Sequence, residues 1–354
     1  MKWIYSITAV GLSLCALYYT FENVPFLDIW RYSLSIDYTW VLLSIGINFA
    51  SFLIRAYRWR VIVYEFYPLK FSMAYHLTSI AFMMNSMLPG RLGELARPVI
   101  LNKKMNVPIA AGLTTVVTER LFDIIVLCLL YLAVAMFVNI DPNYQMTFGT
   151  YTLSHELLTS LAIHAFWVFL IFLFCIICIN VNSIRSLMKR ILKKVPHIIF
   201  FAGPRAQEFI ERKCIQPIIV LIDHISGVFS FFKRPAVIIH CFVLSVMIWI
   251  LIAVSIYVMT FGCKNVNINL FEMCAVLVII CFFISLPSVP GSWGLWEAGG
   301  IFALTIFGVG KQEATAFIIV NHATSLFPII VAGLISIMIT GISIRSSRTF
   351  PEKE

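Results

Sequence analysis

The chain has 354 residues, 60% of them apolar and only 12% charged, with a mean hydropathy of +0.93 and a net charge of +9. Soluble proteins are about 45–50% apolar and about 25% charged, so this composition excludes a soluble enzyme and a nucleic-acid module. Its long uncharged runs suit helices crossing about 30 Å of hydrocarbon and exclude a β-barrel.

The first apolar run, Trp3 to Thr20, is too long for a secretory signal core and no small-residue cleavage site follows it, so it reads as a retained helix. The loop behind it, Phe21 to Asp37, carries only Arg31. A span over Tyr38 to Ile54 leads to Arg55, Arg58, Arg60 and Lys70, and Lys103 and Lys104 close the segment that begins at Phe71. Lys and Arg stay on the cytoplasmic side, so the segment Phe71 to Leu101 starts and finishes there, as a re-entrant hairpin. A span from 106 to 140 then reaches Asp141 to Glu156, a loop without Lys or Arg, and the run Leu157 to Asn182 returns to the basic side. Residues 183–234 form a cytoplasmic basic amphipathic connector, in which Leu187, Ile191 and Leu192 alternate with cations. That pattern fits a helix lying on anionic lipid, and equally a solvated link.

From Pro235 a span runs outward to Cys263, a second hairpin fills Asn265 to Val309, and a last span from Ala314 to Ile344, kinked at Pro328, ends in a tail with Arg345, Arg348 and Lys353. The expected fold is an all-α polytopic membrane protein, one membrane domain over residues 1–354. It has about six transmembrane helices, two re-entrant helical hairpins and both termini cytoplasmic.

The two hairpin turns match each other. Pro89, Gly90 and Gly93 precede Glu94 in the first, and Pro290, Gly291 and Gly294 precede Glu297 in the second. Residues 38–140 and 235–344 therefore read as two copies of span, hairpin, span, inserted in opposite senses. His322 follows Glu297 at the interval by which Glu119 follows Glu94. Proline removes a backbone donor and glycine permits unusual dihedrals, so the turns break helices at depth, where loose backbone must face protein or a wet cavity. Helix N-termini beyond the turns, with Arg91 and Arg97, suit an anion such as phosphate; the other reading has both arginines snorkelling to the interface. Glu119, Arg120 and Asp123 follow in an otherwise apolar run. A charge at the bilayer centre costs about 2.5–3.5 kcal/mol, so these three require partners. They form either a head-group and coupling site or an ion-pair brace.

The run Leu-Pro-Gly-Arg-Leu-Gly-Glu-Leu-Ala-Arg-Pro (88–98), the element Glu119-Arg120-x-x-Asp123 and the turn at 287–297 together resemble the lysylphosphatidylglycerol synthase transmembrane family, over roughly residues 5–345. These flippase-like proteins include the membrane half of the multiple-peptide-resistance factor. The resemblance implies a multi-pass protein of a prokaryotic plasma (inner) membrane that moves lipids or lipid-linked sugars between leaflets. Its matching positions here are Arg91, Glu94, Arg97, Glu119, Arg120, Asp123 and Glu297. Where the family has an arginine in its last span this chain has Asn321-His322, and a histidine titrates near neutral pH. No soluble transferase domain follows the membrane region, so synthase activity is not expected.

Enzyme patterns are incomplete. Thr159 stands where a second zinc ligand would follow His155-Glu156, and no Gly-x-x-x-x-Gly-Lys-Ser/Thr loop occurs. Ser292 between glycines, with His322 beyond it, is explained by the repeat, whose first copy has Arg91 there. The expected function is translocation of an anionic phospholipid or polyprenyl-phosphate-linked sugar. Arg91, Arg97 and Arg120 would meet the phosphate, and Glu94, Glu119, Asp123 and Glu297 would serve as cavity acids for coupling. The alternative is a membrane glycosyltransferase, or an accessory to one, using a polyprenyl-phosphate donor. Membrane lipids and lipid-modifying enzymes are the expected partners, with no nucleic acid, cofactor, metal or catalytic residue.

Overall fold

The computed structural model describes residues 26–65, 67–88, 93–137, 145–148, 151–154, 182–198, 211–216 and 234–342, with isolated positions between 10 and 18, between 160 and 174, and at 219. The expected spans Trp3 to Thr20 and Leu157 to Asn182, and the first turn with Pro89, Gly90 and Arg91, lie largely or wholly outside the described residues.

The described chain is helical. A short helix, α1 (Phe26–Leu34), precedes α2 (Tyr38–Tyr64), α3 (Phe71–Met87), α4 (Gly93–Met105) and α5 (Ile109–Phe137). Beyond a two-stranded hairpin come α6 (Asn182–Ile198), α7 (Pro235–Thr260), α8 (Leu270–Ile284), α9 (Leu295–Ile306) and α10 (Lys311–Thr340). Helices α2, α7 and α10 are long and apolar enough to cross a membrane. At 1.5 Å per residue, α3, α4, α8 and α9 run only about 18–25 Å, short of about 30 Å of hydrocarbon.

Local chemistry sets the boundaries. Asp37 caps α2 by accepting the Thr39 N–H at 2.9 Å. Asn269 and Glu272 exchange side-chain and backbone hydrogen bonds at the start of α8. Between α8 and α9 the chain turns through Gly291 (φ 71°) and Gly294 (φ 87°), dihedrals that a Cβ disfavours. The Gly294 N–H then donates to Glu297 Oε2 at 2.7 Å, placing a carboxylate at the positive end of α9.

The apolar face points outward. Leu42, Ile239, Phe282 and Met338 are each more than 60% exposed, whereas Arg58, Arg97 and Glu119 are fully buried. A soluble protein reverses this order; here the surroundings of the helices are lipid.

The packed pairs are symmetric. Helix α2 lies against α7, and the other main helix pairs among these eight have counterparts when α2, α3, α4 and α5 are exchanged for α7, α8, α9 and α10. Thus α3 packs on α10 as α8 packs on α5, and α4 joins α3 to α5 as α9 joins α8 to α10. The central pair is antiparallel: Asp37 at the start of α2 donates to the Gly262 carbonyl just past α7, while Arg58 near the end of α2 donates to Ser245.

One end of the bundle gathers Ile36, Val266, Ile268 and Val309 into one core cluster. The other joins Arg234 to Glu65 at 3.7 Å and Lys104 to the Thr340 carbonyl at 2.8 Å.

Two expectations are corrected. The loop from Asp141 to Glu156 contains a β-hairpin, β1 (Gln145–Phe148) paired antiparallel with β2 (Tyr151–Ser154). Its alternation of aromatic, apolar and threonine positions suits paired strands. The span from Tyr38 does not stop at Ile54 but continues to Tyr64, which moves Arg55 and Arg58 from a basic loop into the helix interior.

Candidate functional site

The charged residues of α2, α4 and α5 meet inside the bundle. Arg58 of α2 donates to Asp123 Oδ1 at 2.8 Å and lies 3.6 Å from Glu119. Glu119 and Asp123, one turn apart on α5, thus flank one guanidinium. Arg97 of α4 lies 2.6 Å from Glu119 Oε2, and its guanidinium covers the Trp59 ring at 4.8 Å. Arg120 bridges Glu94, at 3.4 Å, and Asp123, at 3.1 Å. Arg55 stands 3.7 Å from Asp123 and over the Phe82 ring at 5.3 Å. Trp249 of α7 adds an Nε1–H donor to Asp123 at 3.3 Å.

Among the described residues, the cluster holds four guanidinium groups, Arg55, Arg58, Arg97 and Arg120, against three carboxylates, Glu94, Glu119 and Asp123. Arginine keeps its charge in proteins, so with all three acids ionised one positive charge is in excess. Solvent reaches the cluster unevenly: the side chains of Arg58, Arg97 and Glu119 are at most 1% exposed, whereas Arg120 is 31% exposed.

Arg120 opens onto a cavity of about 280 Å³, together with Arg55 and Glu94. The rest of its wall carries no Lys, Arg, Asp or Glu: beside His322 it includes Asn48, Ser51 and Phe52 of α2, Asn85 and Ser86 of α3, Trp249 and Ser255 of α7, Gly291, Ser292 and Trp296 around the second turn, and Ser325 of α10. Asn85 Oδ1 and Trp296 Nε1 are buried without a hydrogen-bond partner among the described residues. The flanks of the two turns converge here. A Cβ on Gly291 would lie 3.5 Å from the Ser86 carbonyl, and Asn85, Gly291 and Ser292 also line an adjoining cavity of about 290 Å³.

Glu297 stands apart from the arginines. Its Oε1 is 2.6 Å from His322 Nδ1, and His322 Nε2 donates to the Gly291 carbonyl at 3.0 Å. A carbonyl only accepts, so Nε2 carries a proton. Trp296 stacks on the imidazole at 4.9 Å.

The candidate residues therefore divide. Glu94, Arg120 and His322 line the cavity, with Gly291 of the second turn; Glu119 and Asp123 lie behind it in ion pairs; Glu297 is the buried partner of His322. Arg97 does not reach the cavity wall: Glu119 and Trp59 enclose it, which makes it a brace where phosphate contact is expected from sequence. Gly93 is buried against α3, where a Cβ would strike the Ala81 carbonyl. Sequence alone does not single out Arg55 and Arg58, because three cations in six positions resemble a positive-inside loop. The signal was present in the apolar spacing of Phe52, Ala56, Trp59, Ile62 and Val63, which carries the buried face of α2 past both arginines. Among the described residues, no His, Cys, Asp and Glu group is placed to hold a metal ion.

No curated protein matches the chain significantly. The family model described as the lysylphosphatidylglycerol synthase TM region matches residues 6–333. With that match over nearly the whole chain, on top of buried charge and outward apolar faces, the protein belongs to the lysylphosphatidylglycerol synthase transmembrane family and is a membrane protein related to lipid metabolism or transport.

Proposed function

We propose that the protein translocates an anionic phospholipid or polyprenyl-phosphate-linked sugar, one of net negative charge, between the two leaflets without altering it chemically. The observation that carries this reading is the excess positive charge, which opens through Arg120 and Arg55 onto an otherwise almost uncharged cavity. A phosphate there meets two guanidinium groups, the strongest and most geometrically selective donors for it. Glu94 holds Arg120 at 3.4 Å and is the anion a phosphate would displace. The amide and hydroxyl groups of Asn48, Asn85, Ser86 and Ser325 suit the glycerol or sugar beyond the phosphate.

In this reading residues 38–140 and 235–344 are inverted copies, α3–α4 and α8–α9 are re-entrant hairpins, and with the remaining spans the chain makes six crossings of a prokaryotic plasma membrane with both termini inside. The antiparallel α2–α7 pair and the symmetric packing support it. Alternating access then consists of one copy rocking against the other around a fixed site. Glu119 and Asp123 are held in ion pairs with arginines, whereas the Glu297–His322 pair touches the cavity through His322 and makes no such pair, so it is the coupling element in this reading.

The test reconstitutes the protein in phosphatidylcholine vesicles with labelled phosphatidylglycerol or polyprenyl-phosphate sugar in one leaflet. Wild type is expected to speed exchange of chemically unchanged lipid, and a folded Arg120→Gln variant to lose most of that rate. Chemically altered lipid would instead support the glycosyltransferase, for which Glu94 is the one acid on the cavity wall among the described residues.

A further inference from the structure

A narrow neck alone separates the polar cavity from the lipid-facing surface. On the outside of the bundle an apolar groove of about 620 Å³ runs between α2, α3 and α10, lined by Phe49, Tyr75, Phe327, Val331 and Ile335 among others. Phe327 and Val331 are each more than half exposed. Between groove and cavity lies a narrow neck, of about 10 Å³. Its walls belong to both: Ile45, Phe49, Thr324 and Pro328 are shared with the groove, and Asn48, Ser325 and Ile329 with the cavity. The lining is therefore continuous from open hydrocarbon, past an amide and a hydroxyl, to Arg55 and Arg120.

We infer that this path is a lateral portal: lipid passes sideways between α2 and α10, its phosphate reaching Arg120 and Arg55 while one acyl chain stays in the groove. The inference rests on the phosphate-lipid reading and adds a route and an occupant. The order of chemistry along the path is that of a phospholipid, with hydrocarbon in the groove, the ester and glycerol region at Asn48 and Ser325, and phosphate at the guanidinium groups. Such an arrangement spares the acyl chain from crossing a polar cavity and the phosphate from crossing hydrocarbon. The neck is closed here, and α10 carries its own means of opening. Pro328 has no N–H to donate to the Thr324 carbonyl one turn earlier, so the helix is weakest where Thr324, Ser325 and Pro328 form the neck.

Phosphatidylglycerol bearing a diazirine on one acyl chain, placed in phosphatidylcholine vesicles with the full-length protein, tests this. Photolysis is expected to label groove residues such as Phe327 and Val331, and unlabelled phosphatidylglycerol, but not added phosphatidylcholine, is expected to compete the label away. Ser325→Trp fills the neck and is expected to slow leaflet exchange about tenfold or more, with Ser325→Leu as a milder variant should the first not fold. Labelling that is not competed, or that falls equally on the α7 face at Ile239 and Val243, would overturn the portal. So would a folded neck variant exchanging as fast as wild type. Absence of exchange in wild type would count against translocation itself; the competed labelling on the unmodified chain would then still uphold lateral occupancy of the groove, and uncompeted labelling would overturn it.

Discussion

Among single residues, the division between Arg120 and the other arginines decides what mutations should do. Arg97 and Glu119 are both fully buried, so Glu119→Gln strands a guanidinium with no access to water. The expected loss is about 3–5 kcal/mol, read as a marked drop in thermal unfolding temperature in detergent. Arg120 is partly solvated, and Arg120→Gln is expected to unfold close to wild type while losing exchange. A variant that loses stability and activity together would place Arg120 with the braces. His322→Gln retains hydrogen-bonding groups beside Glu297 but removes the ring that stacks on Trp296 and bonds the Gly291 carbonyl; it is expected to slow leaflet exchange several-fold, measured beside its thermal unfolding temperature.

Close helix approach, at the level of elements, depends on particular glycines. A Cβ on Gly93 would meet the Ala81 carbonyl and come within 2.7 Å of Asn85 Oδ1, so Gly93→Ala must push α4 away from α3 and disturb the cavity wall. On α10, a Cβ on Gly333 would meet Met83 Cβ and lie 2.8 Å from the Ser79 carbonyl. Each substitution is expected to cost about 1–3 kcal/mol. Gly46 faces open space in the middle of α2, and Gly46→Ala should stabilise by up to about 1 kcal/mol through helix propensity alone. Comparing the three by thermal unfolding separates contact from propensity. On α6, Leu187 and Ile191 are more than half exposed among lysines and arginines, an arrangement that suits a helix on anionic lipid and a solvated link alike.

For the whole molecule, the two ends of the bundle make topology measurable. Lys264 lies at the end that gathers Ile36, Val266 and Val309, and Lys104 at the opposite one. In a cysteine-free background, Lys264→Cys is expected to react with an impermeant maleimide added to intact cells, and Ser186→Cys on α6 only after the cells are opened. The reverse pattern would invert the orientation, and reaction of both from outside would break the expected partition of basic loops.

Composition and pattern alone were enough for the membrane class, the family and the turn at Pro290–Gly294, because these depend on short-range features: long apolar runs, Pro-Gly turns and charges whose insertion penalty demands an explanation. Glu119, Arg120 and Asp123 stood out for that reason. Which charges pair is a different kind of question. The step from Ile54 to Arg55 looks the same in sequence whether the helix ends or continues into a charged interior. Only the packing of α2 against α5 and α7 buries Arg58 on Asp123 and encloses Arg97 between Glu119 and Trp59. The Glu297–His322 bond and the neck between α2 and α10 also join residues whose relative placement is set by tertiary contact. Local composition fixes the cost of burying a charge, and the fold alone determines which opposite charge compensates it and which guanidinium remains open to a ligand.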